Sequence, residues 1–543
     1  MSSPTEIWNF IKQKIKPQWK VAFWSALVMG LLIHMPMMMQ DIPNHDGLDS
    51  MHFDQNMITS GRWFLTVACG LSSYYTLPWL IGLLAILWIA LTSVALTEFL
   101  EVKKSWAIVL ISGLLVSFPA FASTFAYVFT MDGYMLALFL AVLSVLLTKL
   151  HKLGFLAGAV CLTFSMGTYQ AYLPFAVLLS IYGILMIAME QGAVKEKIGR
   201  SLRYLYMGIL GAAGYYIILQ ILLRIQGKEL ASYQGINGMG TVEKTGLVDM
   251  VKNMYGDFFA FTLKGNVLMN NTYSIIALCI LGVCTIILLA VLSVRQKWVK
   301  SPWFYILLIL LIFGLPVSTN IILFISPDVT YHVLMRYQWI LYPIVFVAFT
   351  ERYVWEPAAD NGAHMQEKAE KDGAKKKYGN STAWLEWAVI FGAAVLVWNF
   401  AVTDHIAYSN LQKKYEKTYS YCVRLLDRIE QTPGYYQGIP IAMVGVVGDE
   451  SYPVTDITQD VTSNLIGMAG DYLLYTGENY RLFMEHYLGA TLNILPAEAM
   501  AHMYYEEAYV QMNSFPAADS IQIIDGIMYI KTENMDKGLL AAP

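Results

Sequence analysis

The sequence predicts an α-helical polytopic membrane protein with a C-terminal extracytoplasmic α/β domain. Of its 543 residues, 57% are hydrophobic and only 14% charged, far below the roughly one quarter charged of soluble chains. Apolar windows of about 20 residues, each long enough for roughly 30 Å of hydrocarbon, recur between residues 19 and 402. Behind the first window, ionisable residues crowd into one short loop, where chance placement is costly and a functional site is the default reading.

The N-terminus, Met1 to Lys20, alternates Ile7, Trp8, Phe10, Ile11 and Ile15 with lysines, and no small-residue cleavage site follows the first apolar run. That run therefore reads as a retained helix, not a removed signal peptide. The windows are 19–39, 77–99, 105–123, 134–150, 153–169, 171–190, 204–224, 273–293, 303–325, 338–354 and 383–402, about eleven transmembrane helices by the length criterion. Lysine and arginine collect on one side of them, at Lys103 and Lys104, Lys149 and Lys152, Lys195 to Arg203, Arg295 to Lys300, and Arg352. This places the N-terminus in the cytoplasm and, after an odd number of crossings, the C-terminal domain outside. No pair of matching interrupted helices marks two transporter halves.

Residues 1–402 form the expected membrane domain, with a charged cytoplasmic linker at 356–381, and 403–543 the external domain. In the latter, Leu411 to Gln431 reads as an amphipathic helix and Ile439 to Val447 as a buried strand. Leu465 to Tyr475, Tyr480 to Leu488 and Ala497 to Met512 read as helices, and Ile521 to Ile530 as a hairpin about Asp525-Gly526. Gly445 to Gly448 lacks the Lys-Ser/Thr of a phosphate loop. The five cysteines are scattered and predict neither disulfides nor a metal site. A net charge of −4 implies no nucleic-acid partner.

The first outer loop carries Asp41, His45, Asp46, Asp49, His52, Asp54 and Arg62. Asp46 and Asp49 are three apart, so one helical turn sets both carboxylates on one face, with Gly47 between them. Partly desolvated carboxylates suit proton abstraction from a sugar hydroxyl, whereas Asp41 and Asp54 read as loop solvation. Asp132, in Thr130-Met-Asp-Gly-Tyr134, stands at the mouth of the fourth window, as a cap, a site residue, or both. Arg62 and Arg336 are the short-loop cations of the outer face, and guanidinium forks suit phosphate oxygens. His45 and His332 are candidate auxiliary donors. Gly246 to Gly265 alternates apolar and charged residues like a helix lying in the interface.

Four segments, Asn44-His-Asp-Gly-Leu-Asp49, Ser60-Gly-Arg-Trp63, Met131-Asp-Gly-Tyr134 and Gly167-Thr-Tyr-Gln170, in this order over the first 350 residues or so, resemble the bacterial type II glucosyltransferase (Gtr) family, membrane glycosyltransferases of the GT-C architecture. The resemblance implies a GT-C-like fold and transfer of a sugar, usually glucose, from undecaprenyl phosphate to a cell-envelope glycan outside the bacterial cytoplasmic membrane. It assigns the base to Asp46 or Asp49, the following arginine to Arg62 and the second-loop acid to Asp132, with Tyr169 and Gln170 beside the donor. The acids here are separated by Gly47-Leu48, not adjacent, and the external domain is an addition.

The expected partners are a polyprenyl-phosphate-linked sugar donor, an envelope glycan acceptor and membrane lipid. The expected mechanism is a single inverting displacement, with Arg62 or Arg336 meeting the charge of the departing phosphate. No cofactor is expected. A monophosphate leaving group needs no metal bridge across a diphosphate, although a divalent ion stays open. Two other readings are a lipid-linked sugar flippase or polysaccharide exporter, and a scaffold recruiting envelope enzymes. Asp46→Asn and Asp49→Asn separate them, because only a transferase loses sugar transfer while still binding donor lipid.

Overall fold

The computed structural model describes residues 3–43, 45–49, 57–72, 76–190, 192–231, 246–264, 271–295, 298, 302–326, 329, 331–355, 383–444, 473–474 and 477–532. Helix α1 (Pro4–Lys14) opens on a capping box between Ser3 and Glu6. It is followed by α2 (Pro17–Met38) and two one-turn helices, α3 (His45–Asp49) and α4 (Leu65–Cys69). Next come α5 (Pro78–Leu100), α6 (Ser105–Ser117), α7 (Pro119–Thr124), α8 (Val128–Leu150), α9 (Gly154–Thr168) and α10 (Leu173–Met189). Then α11 (Val194–Gln226), α12 (Leu247–Leu263), α13 (Thr272–Arg295), α14 (Pro302–Thr319), α15 (Ile322–Ile325) and α16 (Leu341–Trp355) lead to α17 (Ala383–Gln431).

Every apolar window of the sequence falls on helix. Among the described residues seven helical runs are long and apolar enough to cross a membrane: α2, α5, the stretch Ser105–Leu150, Gln170–Met189, α11, α13 and α17. The remaining windows fall on the shorter α9, α14 and α16. The chain is a polytopic membrane protein. Large apolar side chains such as Leu32, Ile286, Phe313, Trp387 and Trp398 point outward from their helices, as lipid-facing residues do. Small ones, Ala22 and Ala26, line the inner face of α2. Helix α2 packs on α5 and α6, α8 on α5 and α9, and α9 on α11, while α17 packs on α6, α13 and α16. Between α5 and α6 the Ser93 and Ser112 hydroxyls share a hydrogen bond of 2.8 Å.

Lys104, Lys149 and Arg352, from the predicted inner side, gather at one end of this bundle. Lys16 reaches Glu98 at 2.6 Å, and Lys104 reaches Glu386 at 3.3 Å. Lys149 and Arg352 both reach Glu101 at 2.8 Å. Glu351 accepts the backbone N–H groups of Lys103 and Lys104. The opposite end holds α3, α4 and the junctions α7–α8, α9–α10 and 331–340. His34, buried there, joins three helices: its Nε2 lies 3.0 Å from the Val116 carbonyl and its Nδ1 2.6 Å from the Tyr408 hydroxyl. A carbonyl only accepts, so Nε2 carries the proton and Nδ1 accepts from Tyr408.

Helix α17 runs for 49 residues, about 74 Å at 1.5 Å per residue. The expected domain boundary at 402/403 thus falls inside one continuous helix. Its second half turns Thr418, Tyr421, Cys422, Leu425 and Ile429 inward at helical spacing. These residues meet a four-stranded sheet of order β2-β1-β4-β3, formed by β1 (Pro440–Val444), β2 (Asn493–Ile494), β3 (Ile521–Ile524) and β4 (Ile527–Lys531). Strand β1 is parallel to both neighbours, and β3 and β4 form the expected hairpin. Asp525 and Gly526 have φ of 51° and 80°, the positive pair that a two-residue turn demands. Strand alternation sends Ile441 and Met443 toward α17, and Ala442 and Tyr529 toward Met500, Met503, Tyr509 and Met512.

Between β1 and β2, α18 (Gly477–Phe483) runs on into a π-helical turn at Met484–Leu488, covering the expected helix at 480–488. The helix expected over Ala497 to Met512 is instead broken into α19 (Ala497–Met500), a 3-10 turn at Met503–Tyr505 and α20 (Glu507–Gln511). An unbroken helix would point Met500 and Tyr509 about 180° apart, and the break lets both reach the sheet. Of the helix expected at Leu465 to Tyr475, only Leu473 and Leu474 are described, both buried and outside any helix. The linker 356–381, Gly445 to Gly448, His52 and Asp54 lie outside the described residues.

Candidate active site

Arg62 is held where two glycine-containing segments dock on each other. Gly61 has φ +75°, and a Cβ there would lie 2.5 Å from the Gln170 Nε2 and 2.6 Å from the Tyr215 hydroxyl, so only glycine fits. Gln170 itself donates to the Ser60 carbonyl at 3.3 Å and to Tyr215 at 2.9 Å. Gly167 supplies the second close approach: a Cβ there would sit 2.6 Å from the Trp63 indole, and its carbonyl accepts the Phe64 N–H at 2.7 Å. Residues 60–64 are thereby fastened to the α9–α10 junction.

From this seat the Arg62 side chain donates from Nε to the Ser60 hydroxyl at 2.9 Å and from Nη1 to the Tyr134 hydroxyl at 3.2 Å. The Tyr134 ring stacks on Tyr169, with centroids 4.2 Å apart and planes 15° from parallel. The segments 60–63, 131–134 and 167–170 therefore converge on one guanidinium. Ser60 and Tyr134 orient it through neutral oxygens, which leave its charge uncancelled by them.

Asp132 lies in the second turn of α8 and is 1% exposed. The helix starts at Val128 with Tyr127 in the cap position, so the cap reading of Asp132 does not hold. Its Oδ1 accepts the N–H of Gly133 at 2.9 Å, while Oδ2 has no hydrogen-bond partner among the described residues. Cys69 and Ser72, from the end of α4 and the turn after it, are its side-chain neighbours.

Arg336 differs from the sequence expectation. Its Nη1 and Nη2 donate to Asp257 Oδ2 and Oδ1 at 2.6 and 2.7 Å, and Nε donates to the Tyr331 carbonyl at 3.1 Å. The guanidinium also lies over the rings of Tyr331 and Phe261. Asn320 donates to the same Asp257 at 2.9 Å. The fork expected to grip a phosphate is thus filled by a carboxylate from α12, and it ties that helix to the 331–340 segment and, through Asn320, to the end of α14. His332 stands at the cap of the 3-10 turn Val333–Met335.

The stretch His45–Asp49 is a helical turn. Asp46 is partly exposed. The side chains of His45 and Asp49 lie outside the described part of the structure. Helix α3 packs on α18, and Leu48, 1% exposed, joins the core shared by α17, the sheet and α18. Nearby, Tyr487 donates to Asp41 at 3.2 Å. Burial pushes the Asp41 carboxyl above its ordinary range, and the Tyr487 hydroxyl pulls the other way. Asp41 and α3 thus rest on the C-terminal region.

Residues that sequence reasoning did not single out are Tyr134, Cys69, Ser72, Asp257 and Asp404. Tyr134 stood inside a quoted motif, so its signal was present. Asp257 and Asp404 carried none beyond being acids in apolar company. Among the described residues, no three of His, Cys, Asp and Glu gather as metal ligands would.

Comparison with curated proteins gives no match. The family model for glucosyl transferase GtrII matches residues 35–349, more than half of the chain and the whole stretch that carries the converging motifs, and the protein belongs to that family.

Proposed function

We propose that this glycosyltransferase moves glucose from a polyprenyl-phosphate carrier to a cell-envelope glycan, at the end of the bundle where Arg62 sits. In this reading that end faces outward from a bacterial cytoplasmic membrane, and the lysine-rich end faces the cytoplasm. The membrane domain is GT-C-like with about eleven crossings, the shorter apolar helices included. Residues 403–543 are an extracytoplasmic domain beside the acceptor path.

The observation that carries the reading is the convergence of 60–63, 131–134 and 167–170 on Arg62. The acceptor hydroxyl attacks the anomeric carbon and passes its proton to Asp46 or Asp49. The bond from that carbon to the phosphate oxygen breaks, and the carrier leaves as a phosphate monoester. Arg62 meets the growing negative charge. Arg336, already bound by Asp257, positions α12 in this scheme and does not grip the phosphate itself. A base must reach solvent-borne acceptor, which favours partly exposed Asp46 over buried Asp132. Asp132 is a buried acid of the same 131–134 segment whose Tyr134 holds Arg62. Tyr169 and Gln170 shape the donor side.

The test is a transfer assay with purified protein, an envelope glycan acceptor, and either polyprenyl-phosphate glucose or a nucleotide-activated glucose. Transfer from the lipid-linked donor alone is the expected result. Equal or faster transfer from the nucleotide sugar would remove the carrier from the proposal.

A further inference from the structure

The end of the bundle opposite Arg62 contains a small, polar, open-mouthed cavity. It lies between the C-terminal ends of α5, α8, α10 and α16 and the first turns of α11. Lys149, Arg200, Arg203 and Arg352 line it, against Glu101 and Glu190. Lys149 and Arg352 are engaged by Glu101 at 2.8 Å each, and Lys149 also donates to the Phe99 carbonyl at 2.6 Å. Arg200 is engaged by Glu190 at 2.5 Å. Four cations against two carboxylates leave a formal excess of two positive charges in the wall. Arg203 joins no ion pair among the described residues.

A second, independent feature lies in the wall of the same space. Tyr182 is 7% exposed and lines the cavity, yet its hydroxyl has no hydrogen-bond partner among the described residues. A buried donor without an acceptor costs about 1–3 kcal/mol, and an anionic ligand supplies the acceptor. Lys149, Arg200 and Arg352 are held by carboxylates, while Arg203 and the Tyr182 hydroxyl offer donors.

Helix α11 sets the depth. From Val194 to Arg203 it is charged, and from Tyr204 onward it turns Leu205, Tyr206, Ile209 and Leu210 outward, as a lipid-facing helix does. Arg200, Arg203 and Tyr204 line the cavity at this junction, where headgroups meet acyl chains. We infer that this cavity binds the phosphate-bearing headgroup of an anionic phospholipid, with Arg203 and the Tyr182 hydroxyl as its ligands. This site is separate from the sugar-transfer site: Asp132 and Lys149 lie 17 residues apart on α8, about 25 Å along the helix. It stands or falls independently of the transferase reading.

The test uses full-length purified protein in detergent, delipidated and then exposed to phosphatidylglycerol, phosphatidylcholine or inorganic phosphate. Retained lipid is read by native mass spectrometry and stabilisation by melting temperature. Wild-type protein should retain and be stabilised by phosphatidylglycerol but not phosphatidylcholine. Arg203→Gln should weaken that response roughly tenfold or more, the scale of one charge-assisted hydrogen bond. Tyr182→Phe keeps the test sharp if Arg203→Gln fails to fold. If the tyrosine is merely buried, Phe leaves the lipid response unchanged, whereas a ligand role predicts a diminished one. The same stabilisation by inorganic phosphate alone would overturn the lipid source. Equal retention of the two lipids, or an unchanged response in both variants, would overturn the site.

Discussion

The two ends of the helical bundle treat charge in opposite ways. At the lysine-rich end, carboxylates meet cations: Glu98 with Lys16, Glu101 with Lys149 and Arg352, Glu190 with Arg200, Glu386 with Lys104. Each pair is partly exposed and worth no more than about 1 kcal/mol, so their work is to staple helix ends. At the Arg62 end, Asp132 is 1% and Asp404 0% exposed, and both keep carboxylate oxygens without partners among the described residues. Arg62 there leans on the hydroxyls of Ser60 and Tyr134. Arg336 with Asp257 is the exception, and it fastens α12. Stapling pairs settle each other at the first end, whereas at the second the segments 60–63, 131–134 and 167–170 converge on Arg62, and the proposed reaction is placed there on that convergence.

Variants break or sharpen this contrast in descending order of effect. Asp46→Asn and Asp49→Asn should each be assayed for sugar transfer and for donor-lipid binding. Loss of the true base should lower transfer about 10²–10⁴-fold while donor binding persists. Full activity in both would move the base elsewhere, with Asp132 next to test.

Gly167→Ala should drive a methyl group into the Trp63 indole and cost about 1–3 kcal/mol in denaturation, with transfer falling as Arg62 loses its seat. A wild-type melting temperature with full transfer would show that the docking of the two segments is dispensable. Asp404→Asn keeps shape and polarity at a position no motif touches, so stability should change by no more than about 1 kcal/mol and transfer should persist. A collapse of transfer would extend the reaction centre to α17.

The smallest effect belongs to the exposed Glu478–Arg481 pair at 2.6 Å on α18. The Arg481 guanidinium holds the Glu478 carboxyl below its ordinary value of 4.5, against the opposing effect of burial. A lowered acid contributes stability above its unfolded pKa and loses it as pH falls through the folded one. Arg481→Ala should therefore cost about 0.5 kcal/mol at neutral pH and less below pH 4, measured by denaturation at both pH values.

Much of this architecture was written in local pattern. Apolar windows gave helices because hydrocarbon length and helix rise fix their size. Asp525-Gly526 gave the hairpin because few other dipeptides accept two positive φ values. The extent of α17 was not legible: polar residues from Thr403 to Asn410 end an apolar run without ending a helix. The pairing of Arg336 with Asp257 joins positions 79 apart, and α12 looked like a helix with only lipid to face. Four motif segments were visible one by one. That three of them meet at Arg62 depends on Gly61 and Gly167 yielding space to Gln170 and Trp63, which spacing does not encode.

One measurement weighs the two ends directly: the turnover of sugar transfer in Arg62→Gln against Lys104→Gln, each an equal loss of one positive charge. Removing Arg62 should cut turnover about a hundredfold or more with little change in melting temperature, the scale of one lost transition-state donor. Removing Lys104, which pairs with Glu386 at 3.3 Å, should leave turnover near wild type. Wild-type turnover in Arg62→Gln, or an equal fall in both, would contradict a reaction centre at the Arg62 end.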